Sequence, residues 1–229
     1  MAEAVSIDFS SPVPLFPLAN CALLPHAVIP LHIFESRYRR MVADALEDAG
    51  LIAMAVYENA RDAGGDGGDA PLRPHVCLGR IVRHEQLPDG RYNMLLQGIC
   101  RARVVDELEH DAYRVAMLEP TEYTEPMEID LSDARQHLEE LLHDELLKQL
   151  AAVHAINNWL NDEVPTAAVI DLAVLTLCHG VEERYAMLAE PDPEKRAAWL
   201  EHHLQGTRRT LRMAQRLEPA VDENGLPLN

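Results

Sequence analysis

No apolar run in this sequence approaches the roughly 18–20 residues needed to cross a membrane. The best candidate, AAVIDLAVLTLC at 167–178, is short and carries Asp171. The opening MAEAVSIDFSSP has acids where a secretory signal needs a basic start and an apolar stretch. The expectation is a cytoplasmic protein with no membrane partner. Basic residues are scarce, 20 against 38 acidic, for a net charge of −18. That field repels phosphate backbones, so nucleic acid is not an expected partner. The only lysines are Lys148 and Lys195, which follow Leu147 and Glu194. A GxxxxGK(S/T) loop, in which glycine amides and a lysine cradle phosphate, is therefore absent, and with it that route to ATP hydrolysis. GxSxG and HExxH are missing too; HEQLP at 84–88 puts Pro88 where the second histidine would stand. Cys21, Cys77, Cys100 and Cys178 lie far apart with no CxxC, and are expected as reduced thiols.

What is present falls into two halves with different periods. Residues 13–119 read mainly as strands. LIAMAVY at 51–57 is a buried-strand run. HVCLGRIVRHEQL (75–87) and RYNMLLQGICRARVV (91–105) flank Pro88-Asp89-Gly90, where proline presets one dihedral and glycine accepts positive φ; this predicts a hairpin. Gly98 inside the second run suggests a bulge or barrel corner. YRVAMLE (113–119) alternates as a closing strand. Tyr38, Met41, Val42, Ala45, Leu46 and Ala49 share one helical face, with Ser36 as the expected N-cap and Gly50 as the stop.

From Asp130 the period becomes 3.6. One helix is expected through Leu131, Leu138, Leu141, Leu142, Leu146 and Leu150, capped by Ser132. Pro165 opens a second, to about Cys178; 181–190 forms a third; Pro193 opens the last, weakened or broken at Gly206. The fold class expected is α+β: a mixed β pseudobarrel over 11–120 with one covering helix, a linker at 121–129, a C-terminal helical bundle over 130–218 and a flexible tail at 219–229.

Two patterns superficially suggest metal. DAGGDGGDA (62–70) lacks the spacing and closing glutamate of a calcium loop and reads as a solvated loop. Glu139/His143 and Glu140/Asp144 are one turn apart, but on an acidic leucine-faced helix where such pairs arise by chance. No metal, cofactor or catalytic residue is expected. Arg80, Arg83, Arg91, Arg101 and Arg103 read as an outward polar face of the hairpin, with a peptide- or anion-contacting surface as the alternative.

Two blocks carry a resemblance. VPLFPLANCALLPHAVIPLHIFESRYRRMVADAL, from Val13, resembles the opening of the Lon protease N-terminal, substrate-binding domain family; LGRIVRHEQLPDGRYNMLLQGICRARVV, from Leu78, is similar to that family's second signature. The resemblance implies a PUA-like pseudobarrel followed by a helical bundle, and unfolded or extended polypeptide as ligand, presented to another protein machine. His26 stands where the family usually has glycine after the proline matched by Pro25. Full Lon proteases add ATPase and Ser-Lys peptidase domains; this chain of 229 residues looks like a stand-alone bacterial member, with neither activity expected.

The segment from Leu15 to Tyr38 holds the prolines Pro17, Pro25 and Pro30, each removing a backbone donor, so it is no ordinary central strand. It is expected as an edge strand whose prolines block wrong pairing. Leu24, His26, Ile33 and Phe34 are the candidate polypeptide contacts, with core packing of alternate residues as the competing use. A hydrolase built on the acids and histidines of the helical half, or a small-ligand scaffold, are the alternatives.

Overall fold

The computed structural model describes residues 7–59, 61, 70–109, 112–121, 128–160 and 164–217. The loop 62–69, most of the expected linker and the expected tail lie outside the described residues. The chain divides into two compact units: Met1–Glu125 with Cys178–Asp192, and Pro126–Leu177 with Pro193–Asn229.

In the first unit the strands are β1 (Val13–Leu18), β2 (Val28–Ile33), β3 (Leu51–Val56), β4 (His75–Gln86), β5 (Tyr92–Leu108) and β6 (Val115–Pro120). β1 pairs parallel with β3, and β3–β4, β4–β5, β5–β6 and β6–β1 pair antiparallel, so five strands close on themselves. The long β5 makes this possible by pairing β6 with its second half and β2 with its first. Strand alternation fills the closed ring: Val13 and Leu15, Ala53 and Ala55, Val76 and Leu78, Ala116 and Leu118 all point inward, two residues apart. The opposite face of β3 (Ile52, Met54, Val56) is also buried, with α1 (Ser36–Glu47) packed on β1 and β3 through Tyr38, Met41, Val42 and Ala45. A strand buried on both faces has no polar positions to alternate with, hence the unbroken run LIAMAV.

Local signals hold with small corrections. The 88–90 turn forms as expected: the Gly90 N–H donates to the Leu87 carbonyl (2.8 Å), Gly90 has φ +81°, and the Asp89 carboxylate accepts from the Arg91 N–H. Gly50, at φ +71°, follows α1 and donates to the Ala45 carbonyl. Ser36 is not the cap. Glu35 has the extended backbone of an N-cap, while its carboxylate turns to Arg37, 3.0 Å away.

The helix expected over 181–190 exists as α5 (Val181–Ala189), but it belongs with the strands. The Arg73 guanidinium lies 4.7 Å over the Tyr185 ring and donates to the Glu182 carboxylate; the His75 N–H donates to the Tyr185 hydroxyl (3.0 Å). Arg101, expected on an outward face, is 1% exposed and donates to the Met187 carbonyl. The chain thus returns to the barrel after its first helices.

His75 makes one consequence measurable. Its Nδ1 is buried without a hydrogen-bond partner, and burial, then the Arg103 charge, holds its pKa below the ordinary histidine value. The unfolded chain therefore binds a proton that the folded one resists, and stability is lost as pH falls below about 6.5. In His75→Phe, denaturant midpoints should fall less steeply between pH 7 and 5 than in the parent; an unchanged slope would assign the acid sensitivity elsewhere.

The second unit contains α2 (Ser132–Leu142), α3 (Ala151–Asn157), α4 (Thr166–Leu177) and α6 (Pro193–Leu217). The single helix expected from Asp130 through Leu150 is broken. The Asp144 carboxylate accepts from the Leu146 and Leu147 N–H groups (3.0 and 3.4 Å), starting a 3-10 turn at Leu147–Gln149. A short acceptor bonding its own backbone competes with helix continuation. The break shifts the phase, so Leu147 rather than Leu146 is fully buried. Leu131 precedes α2 as N-cap, and the Ser132 hydroxyl instead donates to the Ile129 carbonyl. α6 runs unbroken through Gly206.

Candidate functional site

The proline-interrupted segment divides: its start, with Pro17, lies in β1, which pairs with both β3 and β6 and so is not the edge strand expected, and the rest forms a turn and the edge strand β2. The Ala27 N–H donates to the Leu24 carbonyl (3.3 Å), with Pro25 at the second position and His26 at φ +65° in the third. That is the pattern of a type II turn, whose third position demands positive φ. The His26 N–H donates to the Gly98 carbonyl (2.9 Å) and the Gly98 N–H to the Ala27 carbonyl (2.8 Å). Two residues oppose one, with a left-handed first residue, which makes this a G1-type bulge. Histidine occupies the position glycine favours because the turn needs the conformation and the side chain has open solvent. A left-handed non-glycine residue costs roughly 1–2 kcal/mol, partly offset by glycine's greater freedom when unfolded. His26→Gly should therefore raise stability by about 0.5–1 kcal/mol in urea unfolding; a loss would show that the histidine side chain makes a stabilising contact.

The bulge sets the phase of β2, which among the described residues pairs with β5 alone and is an edge of the sheet. Ile29, Leu31 and Ile33 turn toward the protein, while Val28, Pro30, His32 and then Phe34 share the other face and are exposed. Val28 is 47% and Phe34 62% exposed, high values for large apolar groups. His32 and Phe34 stack with ring centroids 6.3 Å apart. The Arg91 Nη1 donates to His32 Nε2 (3.2 Å), which leaves the His32 proton on Nδ1 to be donated to Asn93 Oδ1 (2.7 Å). Arg91 in turn is held by Asp89. This chain of bonds fixes the middle of the exposed row.

Two cavities adjoin the row. One of about 410 Å³ lies across β2, β5 and β4, bordered by Pro30, His32, Leu95, Asn93, Arg83 and Glu85. The other, about 200 Å³, lies between residues 16–19 and 31–35, with Arg37, Tyr38 and Tyr57. Burial, then the neighbouring Tyr57, pushes the Tyr38 phenol well above its ordinary value. Phe16 packs edge-on to Tyr38 at 4.7 Å, and the Arg37 guanidinium lies 4.6 Å over the same ring.

The four contacts expected from sequence separate. Phe34 is exposed and borders the smaller cavity. Ile33 borders it too but is 2% exposed, and Leu24 is 0% exposed. A side chain without accessible surface has nothing to offer a ligand, so in this conformation both are core residues, not contacts. His26 is exposed but lines neither cavity. Val28, His32 and Asn93 were not singled out as contacts, and Arg83 was considered only as one of five arginines that could face a peptide. The period-2 alternation from Val28 to Phe34 was the signal that finds the first two; the others come from distant strands brought alongside.

Burial pushes the Cys178 thiol up to about 12 and raises Cys21 as well, which keeps both as thiols. His143, considered for a metal, spends its Nδ1 proton on the Glu139 carbonyl, and Asp144 caps the 3-10 turn. Among the described residues no group of three metal-binding side chains converges.

The family model of the ATP-dependent protease La (LON) substrate-binding domain matches residues 12–206. Lon protease 2 of Myxococcus xanthus is 24% identical over 93% of this chain and 26% of its own length. The Lon protease of Anaeromyxobacter dehalogenans is 22% identical over 93% of this chain and 25% of its own. The chain thus spans about a quarter of the length of these curated relatives. Among solved structures, the N-terminal domain of Mycobacterium avium complex Lon protease superposes with a TM-score of 0.63 at 15% identity, covering 85% of this chain and 98% of that one. The Lon N-terminal domain protein from Xanthomonas campestris gives 0.56 at 24% identity, covering 83% and 96%. With a match that runs from the first strand into the last helix, this chain belongs to the LON substrate-binding domain family.

Proposed function

We propose that this protein is a non-catalytic module that recognises extended, apolar polypeptide segments, on a PUA-like pseudobarrel followed by a helical bundle, and acts in the cytoplasm beside another protein machine. The observation that carries this reading is the exposed row Val28, Pro30, His32 and Phe34 on the free edge strand. An extended ligand repeats its side chains with the same period, so it can match the row residue for residue. Burying two or three large apolar side chains contributes roughly 1.5–3 kcal/mol each, and ordering a flexible ligand opposes this, which makes affinities of roughly micromolar the expected range.

Calorimetry with α-lactalbumin tests the reading. The reduced, carbamidomethylated and therefore unfolded form should bind, and the oxidised folded form should not. Phe34→Ala should weaken binding about tenfold, the effect of roughly 1.4 kcal/mol, with the melting temperature unchanged because the side chain is exposed. Equal binding by Phe34→Ala would remove this row from the site. His26→Asp should leave affinity nearly unchanged, since His26 lies outside both cavities. The small-ligand alternative has one supporting observation, the cavity of about 410 Å³, which is of drug-site size.

A further inference from the structure

We propose that the ligand is held by its main chain, as a strand added along the free edge of β2, with one gap in the ladder at Pro30. This rests on the reading that the β2 row carries the polypeptide site, and it names how that site selects its ligand.

The bulge determines which backbone groups are available. Gly98 exchanges hydrogen bonds with His26 and Ala27, so its N–H and C=O face β2. In an antiparallel ladder these groups alternate sides, so Leu96, Met94 and Tyr92 face β2 as well, opposite Ile29, Leu31 and Ile33. The residues between, Val28, Pro30 and His32, then turn their backbone groups away from β5, and β2 has no second neighbour among the described residues. The edge presents N–H groups at Val28 and His32, and carbonyls at Val28, Pro30 and His32. Proline stands at an outward position, where its missing N–H costs no bond to β5.

The same gap decides the occupant. A second copy pairing edge to edge about Pro30 would set proline against proline and lose both donors at the centre of the ladder. Two copies would also bring together chains of net charge −18. A segment of another polypeptide instead supplies its own N–H to the Pro30 carbonyl. Arg83, which borders the larger cavity and has no ion pair among the described residues, gives a carboxylate on that segment a partner. The ligand class is an extended, unpaired segment with apolar side chains at every second position, neutral or mildly acidic. Interior strands of folded proteins are excluded because they already spend these groups on both sides.

The test uses the whole chain and a ten-residue synthetic peptide that alternates phenylalanine with threonine and carries an aspartate at each end. Two versions are N-methylated, one on the phenylalanine amides and one on the threonine amides. An added strand turns only one set toward β2, so one version should lose at least tenfold in affinity while the other keeps most of it. Equal effects of the two sets would overturn main-chain recognition yet leave side-chain recognition standing; failure of the unmodified peptide to bind would instead sink the underlying reading. Pro30→Ala supplies the missing donor and should tighten the unmodified peptide about three- to tenfold, one hydrogen bond's worth. Unchanged affinity there, or a dimer of the parent in sedimentation that the peptide dissociates, would also overturn the proposal.

Discussion

Replacing Gly98 by alanine should destabilise the protein by more than about 3 kcal/mol, a large share of the roughly 5–15 kcal/mol that holds a domain folded. A Cβ at this position would lie 2.2 Å from the Leu24 carbonyl oxygen and 2.9 Å from its carbon. Overpacking usually costs about 1–3 kcal/mol because side chains yield, but here the obstacle is backbone. It cannot withdraw without breaking the His26 and Ala27 bonds to Gly98 that seat the turn and set the phase of β2. Gly79→Ala is the matched control. Its Cβ would meet the Leu96 side chain at 2.9 Å, and a leucine can shift rotamer more readily than a carbonyl can move, although the Gln97 carbonyl at 3.2 Å limits the relief. Urea unfolding of the two variants should give a clearly larger loss for Gly98→Ala. Equal losses would mean that the 24–27 turn moves freely and does not govern the strand.

In the second unit, Asp171→Ala should cost about 3–5 kcal/mol, because it removes a carboxylate from beside a buried guanidinium. Arg196 Nε and Asp171 Oδ1 are 3.5 Å apart, with side chains 2% and 1% exposed. The double variant Asp171→Leu with Arg196→Met removes both charges and should be less destabilising than the single change, since a packed apolar pair has no desolvation penalty to recover. Trp159 and Trp199, the only tryptophans of the chain, both lie in this unit, so tryptophan fluorescence during denaturation reads its melting directly. A double variant less stable than the single would show that Arg196 makes further contacts worth more than its burial costs.

The legible parts of the fold were those specified by neighbours in sequence. Pro88-Asp89-Gly90 needs only its own dihedrals to turn the chain, and Gly50 only its own φ to end a helix. The run from Tyr38 to Ala45 shows its buried face because one helix against one sheet makes one stripe. The helix expected through Leu146 failed because a side chain, Asp144, bonded the backbone where the leucine spacing gave no sign of a break. Arg101 looked like its arginine neighbours on the strand, yet only it meets the Met187 carbonyl, far along the chain.

At the candidate site the same division holds. The sequence by itself determined that an edge strand lies around Pro30, because proline has no N–H to give a central ladder, and that its residues alternate between two faces; the same argument fails at Pro17, which lies in β1 between β3 and β6. Which of those faces is core was decided by tertiary structure alone. The Gly98 bulge sets the phase that buries Ile33, the same turn buries Leu24, and together they leave Val28, Pro30, His32 and Phe34 in solvent. Side-chain period is two, so a shift of one residue in that bulge would have exchanged the two sets. The approach of two backbones, at a glycine with no Cβ to keep them apart, starts the register that the six β2–β5 pairs continue.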